Sequence, residues 1–402
     1  MSYEGDSGLR SIVSEHESLL LLANAIALLL LPLGLIEGFA IIGEIIEFIT
    51  VSISNLTGFA VGYGPSLGGY TALSPLILIY GIVVIGFNLL LGYTGLLSFG
   101  HAAFFGTGAY VAGISSSMVG DPILMVAVGA IAATIIAWPI GFVSIRRSGV
   151  YFAVLTLTFG QMLYFYALGP GSWLTNGDNG YSSIEMGNLL TLFPLDEAVI
   201  DFELVINVGV IPLLPLGEIA LDFDIYTWMY ILVAVFALLA LWAASRILSS
   251  PYGLIFDALG QNEQRVSFVG LNVFRYKLMA FILSAVFAGV GGALWAMHEQ
   301  FIHPGTAYFW IQSGDFVIMT ILGGAGSLVG PIFGAFIFEY VANVTSGLTL
   351  PIWGEIGSLW RVVLGLTFVV VIWKLPRGLY PPVRDRLYRV ADRILGYGGE
   401  SK

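Results

Sequence analysis

The side chains that could do acid–base, nucleophilic or metal chemistry are few and far apart in this sequence. There is no cysteine, so a disulfide, a thiolate zinc site and an iron–sulfur cluster are excluded. The four histidines form no i, i+4 pair and join no carboxylate cluster, so a metal site is not expected. The sequence has no G-x-x-x-x-G-K-[ST] phosphate-binding loop, and it has no G-x-S-x-G nucleophile elbow in a strand–turn–helix context. We expect no catalytic residue and no cofactor in this chain.

Polar side chains inside otherwise apolar sequence form a second group of candidates. Six of them could line a path through a membrane: Asn88, Ser98, His101, Thr156, Thr158 and Gln161. Thr158 and Gln161 are three residues apart, so they share a helix face. A buried threonine usually donates to the carbonyl oxygen one turn earlier in its own helix, and this bond competes with a role in the path.

His101 is the ionisable member of this group, and it lies among glycines and small residues in GYTGLLSFGHAAFFGTGAY, residues 92–110. The sequence predicts that GYTG turns the chain and that a helix begins near residue 96, with Ser98 and His101 on one face. An ionisable side chain in a membrane helix is a functional candidate, whereas the neighbouring glycines favour a helix contact. Two interpretations stay open: a packing or hydrogen-bonding anchor, and a residue that lines the path or its inner gate.

The elements that carry these residues are apolar runs long enough to cross a membrane. Of the 402 residues, 57% are hydrophobic and 10% are charged, and the mean hydropathy is +0.91. Soluble domains carry about 25% charged residues, so a soluble fold is excluded. We predict an all-α, polytopic integral membrane bundle with about ten transmembrane segments. The predicted spans are 19–36, 73–92, 96–117, 123–145, 149–168, 226–247, 276–297, 313–325, 327–346 and 356–375.

Lysine and arginine residues indicate the orientation, because cytoplasmic loops are enriched in them. Basic residues follow the spans that end near residues 145, 247 and 375, whereas residues 170–225 contain nine acids and no lysine or arginine. We therefore expect residues 170–225 to be external and both termini to be cytoplasmic. This count requires GGAGS, residues 323–327, to be a cytoplasmic turn, and the alternative is a nine-span protein. The 313–325 span is about half a bilayer long, so it is either a short span or a re-entrant helix.

Charge and hydropathy divide the chain into three regions. We expect residues 1–72 to hold the first transmembrane helix and an external loop, residues 73–380 to form the transmembrane domain, and residues 381–402 to form a charged cytoplasmic tail. The domain includes an external acidic insertion, about 170–225, and a cytoplasmic loop, about 249–275. The formal net charge of −11 is typical of acid-rich halophilic proteins, so we expect a halophilic archaeon as the source.

Small residues recur at every fourth position in three predicted helices, where they form flat strips. Such strips let helix backbones approach closely, so we expect tight packing within the bundle or against a second bundle. The strips are Ser284, Ala288, Gly292 and Ala296, with a parallel row at Ala285, Gly289 and Ala293; Gly129, Ala133, Ala137 and Gly141; and Ser98, Ala102 and Gly106.

The longest predicted cytoplasmic loop contains a short amphipathic stretch. Pro251 and Gly253 open it, residues 257–268 have helix-forming spacing, and Gly270 closes it. The pattern is consistent with a connector lying on the membrane and with a lever held by a cytoplasmic motor. The apolar residues are expected to face a protein surface or the bilayer interface: Ile255, Phe256, Leu259, Val266 and Val269. The polar residues Gln261, Asn262, Glu263 and Arg265 are expected to be presented outward.

Several sequence blocks resemble the permease subunits of branched-chain amino-acid ABC importers, most closely the longer of the two paired permeases. The block in the loop is G-x₈-N-E-x-R-x₄-G-x-N, from Gly253 to Asn272, followed by YKLMAFILSAVFAGVGGALWA. The other blocks follow the family order within residues 75–380: NLLLGYTGLLSFGHAAFFGTGAY, RRSGVYFAVLTLTFGQ, WLTNGDNG, HPGTAYFWIQSGDFVIMTILGGAGSLVGPIFGA and LPRGL.

The resemblance implies a subunit that forms the translocation path for leucine, isoleucine and valine and is driven by separate ATPases. It implies a second homologous permease, two cytoplasmic ABC ATPase subunits that bind ATP and magnesium, and an extracellular substrate-binding protein. The lipid bilayer is the remaining partner, and nucleic acid is not expected. Residues 249–275, which we name the coupling segment, would dock into the ATPase through Gly253, Asp257, Ala258, Asn262, Glu263, Arg265 and Gly270.

The coupling segment departs from the family pattern at four positions. Leu254 and Asp257 stand where family members usually carry basic residues, and Val266 and Ser267 replace the alanines expected after the glutamate. These departures predict that the polar contact with the ATPase differs from that of other family members.

Two alternative functions stay open at this point. The first is the permease of a urea or short-amide ABC importer of the same family. The second is an ion-coupled secondary transporter, which would need a deeply placed intramembrane carboxylate. The main intramembrane acids, Asp315 and Glu339, are both expected in the outer half of their helices, which weakens the second alternative.

Overall fold

The computed structural model describes residue 26 and residues 70–184, 204–206, 219–221, 225–346, 349–350, 354–355 and 359–382. Helices dominate this part of the chain, as predicted. Two short antiparallel hairpins accompany them, β1 Leu204–Ile206 with β2 Ile219–Leu221 and β3 Thr349–Leu350 with β4 Gly354–Glu355. The predicted 19–36 span, most of the acidic insertion and the tail after residue 382 lie outside the described residues.

The helices are numbered here in chain order. They are α1 Tyr70–Asn88, α2 His101–Val119, α3 Pro122–Ser144, α4 Val150–Leu168, α5 Ser172–Thr175, α6 Ile225–Leu248, α7 Pro251–Gln261, α8 Glu263–Phe268, α9 Val273–Glu299, α10 Pro304–Ala307, α11 Trp310–Gly323, α12 Gly330–Ser346 and α13 Trp360–Lys374.

Six helices are long and apolar enough to cross a membrane: α1 with the turn that follows it, α2, α3, α4, α6 and α9. Each coincides with a predicted span, so the chain is a multi-pass membrane protein. The helices α11, α12 and α13 have 14, 17 and 15 residues. At about 1.5 Å per residue they are shorter than a hydrocarbon core of about 30 Å.

The end of α1 explains why α2 begins later than predicted. The chain continues from α1 into a π-helical turn, Leu89–Tyr93. Gly95 then adopts a φ of +71°, and the Leu96 amide donates to the Leu90 carbonyl at 3.1 Å. This left-handed glycine with its long-range amide bond is a common helix ending. Residues 96–100 are therefore not helical, and α2 begins at His101 instead of near residue 96.

The chain divides into two compact units, and the larger is residues 79–317. In this unit α9 packs against α2 and α3 through small residues. A Cβ added at Gly108 would lie 2.7 Å from the Gly289 Cα, and one added at Gly129 would lie 2.8 Å from the Gly108 carbonyl oxygen. The predicted strips on α3 and α9 are confirmed as packing surfaces. The third strip is wrong, because Ser98 precedes α2 and shares no helix face with Ala102.

The other unit comprises residues 1–78 and 318–402. Within it, the end of α11 and the start of α12 form a close hairpin, because a Cβ at Gly334 would meet the carbonyl group of Met319. The turn 324–329 joins them, so the predicted turn at GGAGS is confirmed. The chain after α13 returns to this turn, where the Leu379 amide donates to the Leu322 carbonyl at 3.0 Å.

Candidate coupling site and translocation path

The coupling segment forms two short helices instead of one. We expected a helix through residues 257–268, but the chain breaks at Asn262, whose backbone is extended between α7 and α8. The Asn262 side-chain oxygen accepts hydrogen bonds from the Gln264 and Arg265 amides at 3.0 and 3.1 Å. An asparagine in this position satisfies the first free amides of a new helix, and this bonding competes with helix continuation. Asn262 is therefore the cap of α8.

The two faces of the coupling segment differ in exposure. Phe256, Leu259 and Val266 are buried, so they face the protein's own surface. Val269 is separated from them, because the break at Asn262 and the turn at Gly270 place it on the exposed side. The exposed apolar side chains are Leu254, Phe268 and Val269, which are 74%, 86% and 79% exposed.

The residues predicted to dock into the ATPase lie mostly on the exposed face. Gly253 alone among them is buried, and its close packing with the end of α6 fixes how α7 begins. The exposed members are Asp257, Ala258, Asn262, Glu263, Arg265 and Gly270.

Two contacts between the coupling segment and the rest of its unit stand out. On α7, Gly260 packs against the backbone of Tyr93, where a Cβ would collide with the carbonyl group. On α8, Glu263 Oε2 forms an ion pair with Lys277 Nζ at 2.5 Å. The Lys277 side chain is 5% exposed and belongs to α9, whereas the Glu263 side chain is 48% exposed.

The sequence patterns did not indicate that Lys277 forms an ion pair with Glu263. The available signal was a lysine inside FRYKLMAF, near the start of an apolar helix. A buried cation in such a position requires an anionic partner. The partner is 14 residues away in the chain, so helical spacing could not identify it.

The six path candidates fall into two groups. Asn88, Ser98, His101 and Thr156 are buried, whereas Thr158 is exposed and Gln161 is partly exposed. Thr158 was expected to be buried, and this is wrong, because it lies on the open side of α4. The two threonines bond within their own helix, as the sequence predicted: Thr156 donates to the Ala153 carbonyl and Thr158 to the Val154 carbonyl, both at 2.9 Å.

His101 occupies the first position of α2 and contacts α9. Its Nε2 atom lies 2.7 Å from Ser284 Oγ. The edges of Phe87, Phe104 and Phe281 surround the ring, with ring centroids 4.7, 5.4 and 5.9 Å from that of His101. The predicted shared face with Ser98 is wrong, because Ser98 lies in the irregular segment before the helix.

The start of α2 is held from other elements as well. The Ala102 amide donates to Ser313 Oγ of α11 at 2.8 Å. Gly100 packs against the backbone of Thr156 in α4, where a Cβ would collide with the carbonyl group. The start of α2 thus contacts α4, α9 and α11, and Ser98 in the irregular segment 96–100 is fully buried.

Two blocks that carried the family resemblance meet at the predicted outer end of the larger unit. Tyr181 and Ile302 exchange backbone hydrogen bonds of 2.8 and 2.9 Å. His303 Nε2 lies 3.2 Å from the Asp178 carbonyl oxygen and 3.4 Å from its carboxylate. No sequence pattern indicated this pairing, because the partners are more than 100 residues apart. Within the described residues, no group of three or more potential metal ligands occurs.

Comparisons with known proteins agree with this arrangement. Residues 70–372 match the family described as "Branched-chain amino acid transport system / permease component". The chain is similar to the high-affinity branched-chain amino acid transport system permease protein LivM of Escherichia coli K12, with 28% identity over 79% of this chain and 72% of that protein. The LivM protein of Salmonella typhimurium is 27% identical over the same shares. The BraD permease of Pseudomonas aeruginosa is 23% identical over 64% of this chain and 79% of that protein. No solved structure matches the chain.

The family match begins at the first residue of α1 and ends within α13. It therefore includes the six candidate spans, the coupling segment and the surroundings of His101. A match of this extent covers most of the chain and all the contacts described in this subsection. The chain belongs to the family of branched-chain amino-acid transport permeases.

Proposed function

We propose that this chain is the transmembrane permease subunit of an ABC importer and forms the translocation path for leucine, isoleucine and valine. The names of its relatives support the substrate class. The observation that carries the proposal is the coupling segment, because its inner side is anchored to α9 and its outer side is exposed. This is the arrangement required of a lever that a second protein grips.

The exposed side of the coupling segment favours a protein partner over the bilayer surface. Large apolar side chains that are clustered and exposed mark interaction sites. Leu254 lies one turn from Asp257, which accepts a hydrogen bond from Gln261 at 2.9 Å. A carboxylate on the same exposed helix face disfavours burial in lipid, whereas a protein groove can supply a partner for it.

The proposed importer needs further subunits, because this sequence contains no ATP-binding motif. Because it has no phosphate-binding loop, we assign ATP and magnesium to two partner ATPase subunits. A second homologous permease and an external substrate-binding protein complete the proposed assembly. The permease itself has no catalytic residue in this proposal.

We also propose ten crossings with both termini in the cytoplasm. Arg146 stacks over Phe142 at 4.5 Å just after α3 ends, and Arg246 stacks over Trp242 at 5.8 Å near the end of α6. Aromatic and basic side chains together are typical of a cytoplasmic membrane boundary. Residues 1–72 would supply the first crossing, residues 73–380 the permease domain and residues 381–402 the cytoplasmic tail.

The translocation path is proposed along the exposed side of α4. Thr158 places a hydroxyl group on a helix face whose other exposed residues are apolar, and the partly exposed Gln161 follows three residues later. The buried candidates Asn88, Ser98, His101 and Thr156 would instead hold the helices that shape the path. This assignment separates residues that meet substrate from residues that position them.

Purification of the tagged chain from its native membrane tests the proposal. We expect a P-loop ATPase and a second permease of the same family to co-purify, and mass spectrometry identifies both. We expect the complex to take up leucine with ATP, and an excess of valine to compete while urea and acetamide do not. Competition by the amides alone would replace the substrate class. Recovery as a homo-oligomer with uptake driven by a sodium or proton gradient would overturn the importer.

A further inference from the structure

Lys277 is a buried cation whose charge has a single acidic neighbour in the hydrogen bonds and ion pairs of the described residues. Its Nζ atom lies 2.5 Å from Glu263 Oε2. Lys277 is the fifth residue of α9, and Glu263 is the first residue of α8. The pair therefore joins the coupling segment to the longest helix of the described chain.

We propose that Lys277 and Glu263 are positioning residues that transmit movement of the coupling segment to α9. The proposal rests on the proposed function, because it assumes that an ATPase moves this segment. It adds which residues of this chain carry the movement into the membrane. Neither residue is assigned any contact with the transported substrate.

The two attachments of the coupling segment differ in stiffness. Gly260 and the Tyr93 backbone meet through van der Waals contact, which opposes compression but permits sliding. The ion pair is directional and half shielded from water, so both separation and sliding weaken it. Helix α8 has six residues and cannot hold its orientation alone. Its direction relative to α9 is therefore held by Glu263 at its first position together with the buried Val266.

A movement that reaches Lys277 has a direct route to the interior of the unit. Ser284 lies seven residues further along α9, which is about two helical turns and places it near the same face. Ser284 contacts His101 at the start of α2. The close glycine contacts between α2 and α9 make these two helices move together, because packed backbones cannot deform gradually. Just before α2, Gly100 packs against the backbone of Thr156 in α4.

The test uses the complete complex in proteoliposomes and measures leucine uptake and ATP hydrolysis in the same sample. The quantity of interest is the number of leucine molecules taken up per ATP hydrolysed. Lys277→Met removes the cation, and Glu263→Gln removes the anion while keeping the side-chain shape. The double variant Lys277→Glu with Glu263→Lys restores the pair with reversed charges. Arg275→Met is the matched control, because Arg275 is an exposed cation on the same helix, two residues before Lys277.

We expect Lys277→Met and Glu263→Gln to co-purify with the ATPase but to lower the uptake per ATP at least tenfold. We expect the charge-reversed double variant to recover most of that ratio and the control Arg275→Met to keep it. A purely structural role would lower yield and both activities together and leave the ratio unchanged, which would overturn the proposal. Failure of the reversed pair to recover the ratio, although the complex assembles, would overturn it too.

The outcome is separate from that of the proposed function. If the unmodified complex shows no ATP-dependent uptake, the importer assignment fails before any variant is compared. If the unmodified complex is coupled and Lys277→Met is equally coupled, the importer stands and the positioning role is wrong.

Discussion

His101 is held by a serine 183 residues further along the chain, and this contact bears on its role. The imidazole ring is surrounded by the rings of three phenylalanines. His101 is the first residue of α2, so the helical turn that we expected before it is absent. Of the two interpretations that the sequence left open, this geometry favours the anchor between α2 and α9. The role in substrate passage stays a prediction that side-chain replacement can test.

We expect Ser284→Ala to destabilise the chain, because it leaves the buried His101 Nε2 without its partner. Leaving a buried polar atom unsatisfied costs about 1–3 kcal/mol. Thermal unfolding in detergent measures the change, and Ser115→Ala is the control, because Ser115 bonds only within its own helix at the Ala112 carbonyl. Replacing both partners, with His101→Leu and Ser284→Ala, is expected to cost less than the sum of the single changes. A fully additive double variant would contradict the anchor.

Thr158 tests the proposed path at the same scale. The chain has no cysteine, so Thr158→Cys introduces a single thiol into the chain. We expect it to react with a charged, membrane-impermeant thiosulfonate about tenfold faster than Ile135→Cys, because only a thiolate in water is nucleophilic. Ile135 is also exposed, but it belongs to an apolar stripe on α3. Leucine in excess is expected to slow the Thr158→Cys reaction. Equal rates at both positions would contradict a path along α4.

The elements show how far the sequence could specify the fold. Apolar runs and flanking charges identified all nine described long helices from α1 to α13 within a few residues, because length and hydropathy determine a membrane helix locally. The strips on α3 and α9 predicted their packing for the same reason. The predicted start of α2 and the single helix predicted through residues 257–268 were wrong. Each of these helix boundaries depends on one residue, Gly95 or Asn262. Such a residue ends a helix only when the backbone around it permits the required hydrogen bonds.

The crossing of α2 and α9 gives a prediction about helix packing. We expect Gly108→Ala to destabilise the chain by about 1–3 kcal/mol, because the new methyl group would overlap the Gly289 backbone. Gly365→Ala in α13 is the matched control, since no described atom lies within 4 Å of a Cβ added there. Both substitutions raise helix propensity by about 1 kcal/mol, so the difference reports packing alone. Thermal unfolding monitored by size-exclusion chromatography measures it, and equal stability of the two variants would contradict the close crossing.

The coupling segment gives a second prediction about an element. We expect Asn262→Ala to loosen α8 by about 1 kcal/mol, because the Gln264 and Arg265 amides lose their acceptor. Hydrogen exchange resolved to residues 263–268 should become about fivefold faster, while exchange in α9 stays unchanged. Gln264→Ala keeps the cap and serves as the control. Unchanged exchange in Asn262→Ala would show that α8 is held by other contacts.

For the whole molecule, the sequence specified the class and the family but not the long-range pairs. Composition excluded a soluble enzyme, and the ordered blocks led to the permease family that residues 70–372 match. The pairs Glu263–Lys277, His101–Ser284 and Tyr181–Ile302 could not be predicted, because each joins residues from separate elements whose docking no local pattern encodes. These pairs connect elements that are distant in the sequence, including the coupling segment with α9 and α2 with α9.

The central claim is that this chain moves branched-chain amino acids with energy supplied by a partner ATPase. The direct measurement is uptake of radiolabelled leucine by proteoliposomes that contain the complex co-purified with this chain and its binding protein. We predict uptake that requires ATP, stops with vanadate and is insensitive to dissipation of sodium and proton gradients. Uptake by the chain alone that requires one of those gradients and persists without ATP would contradict the account.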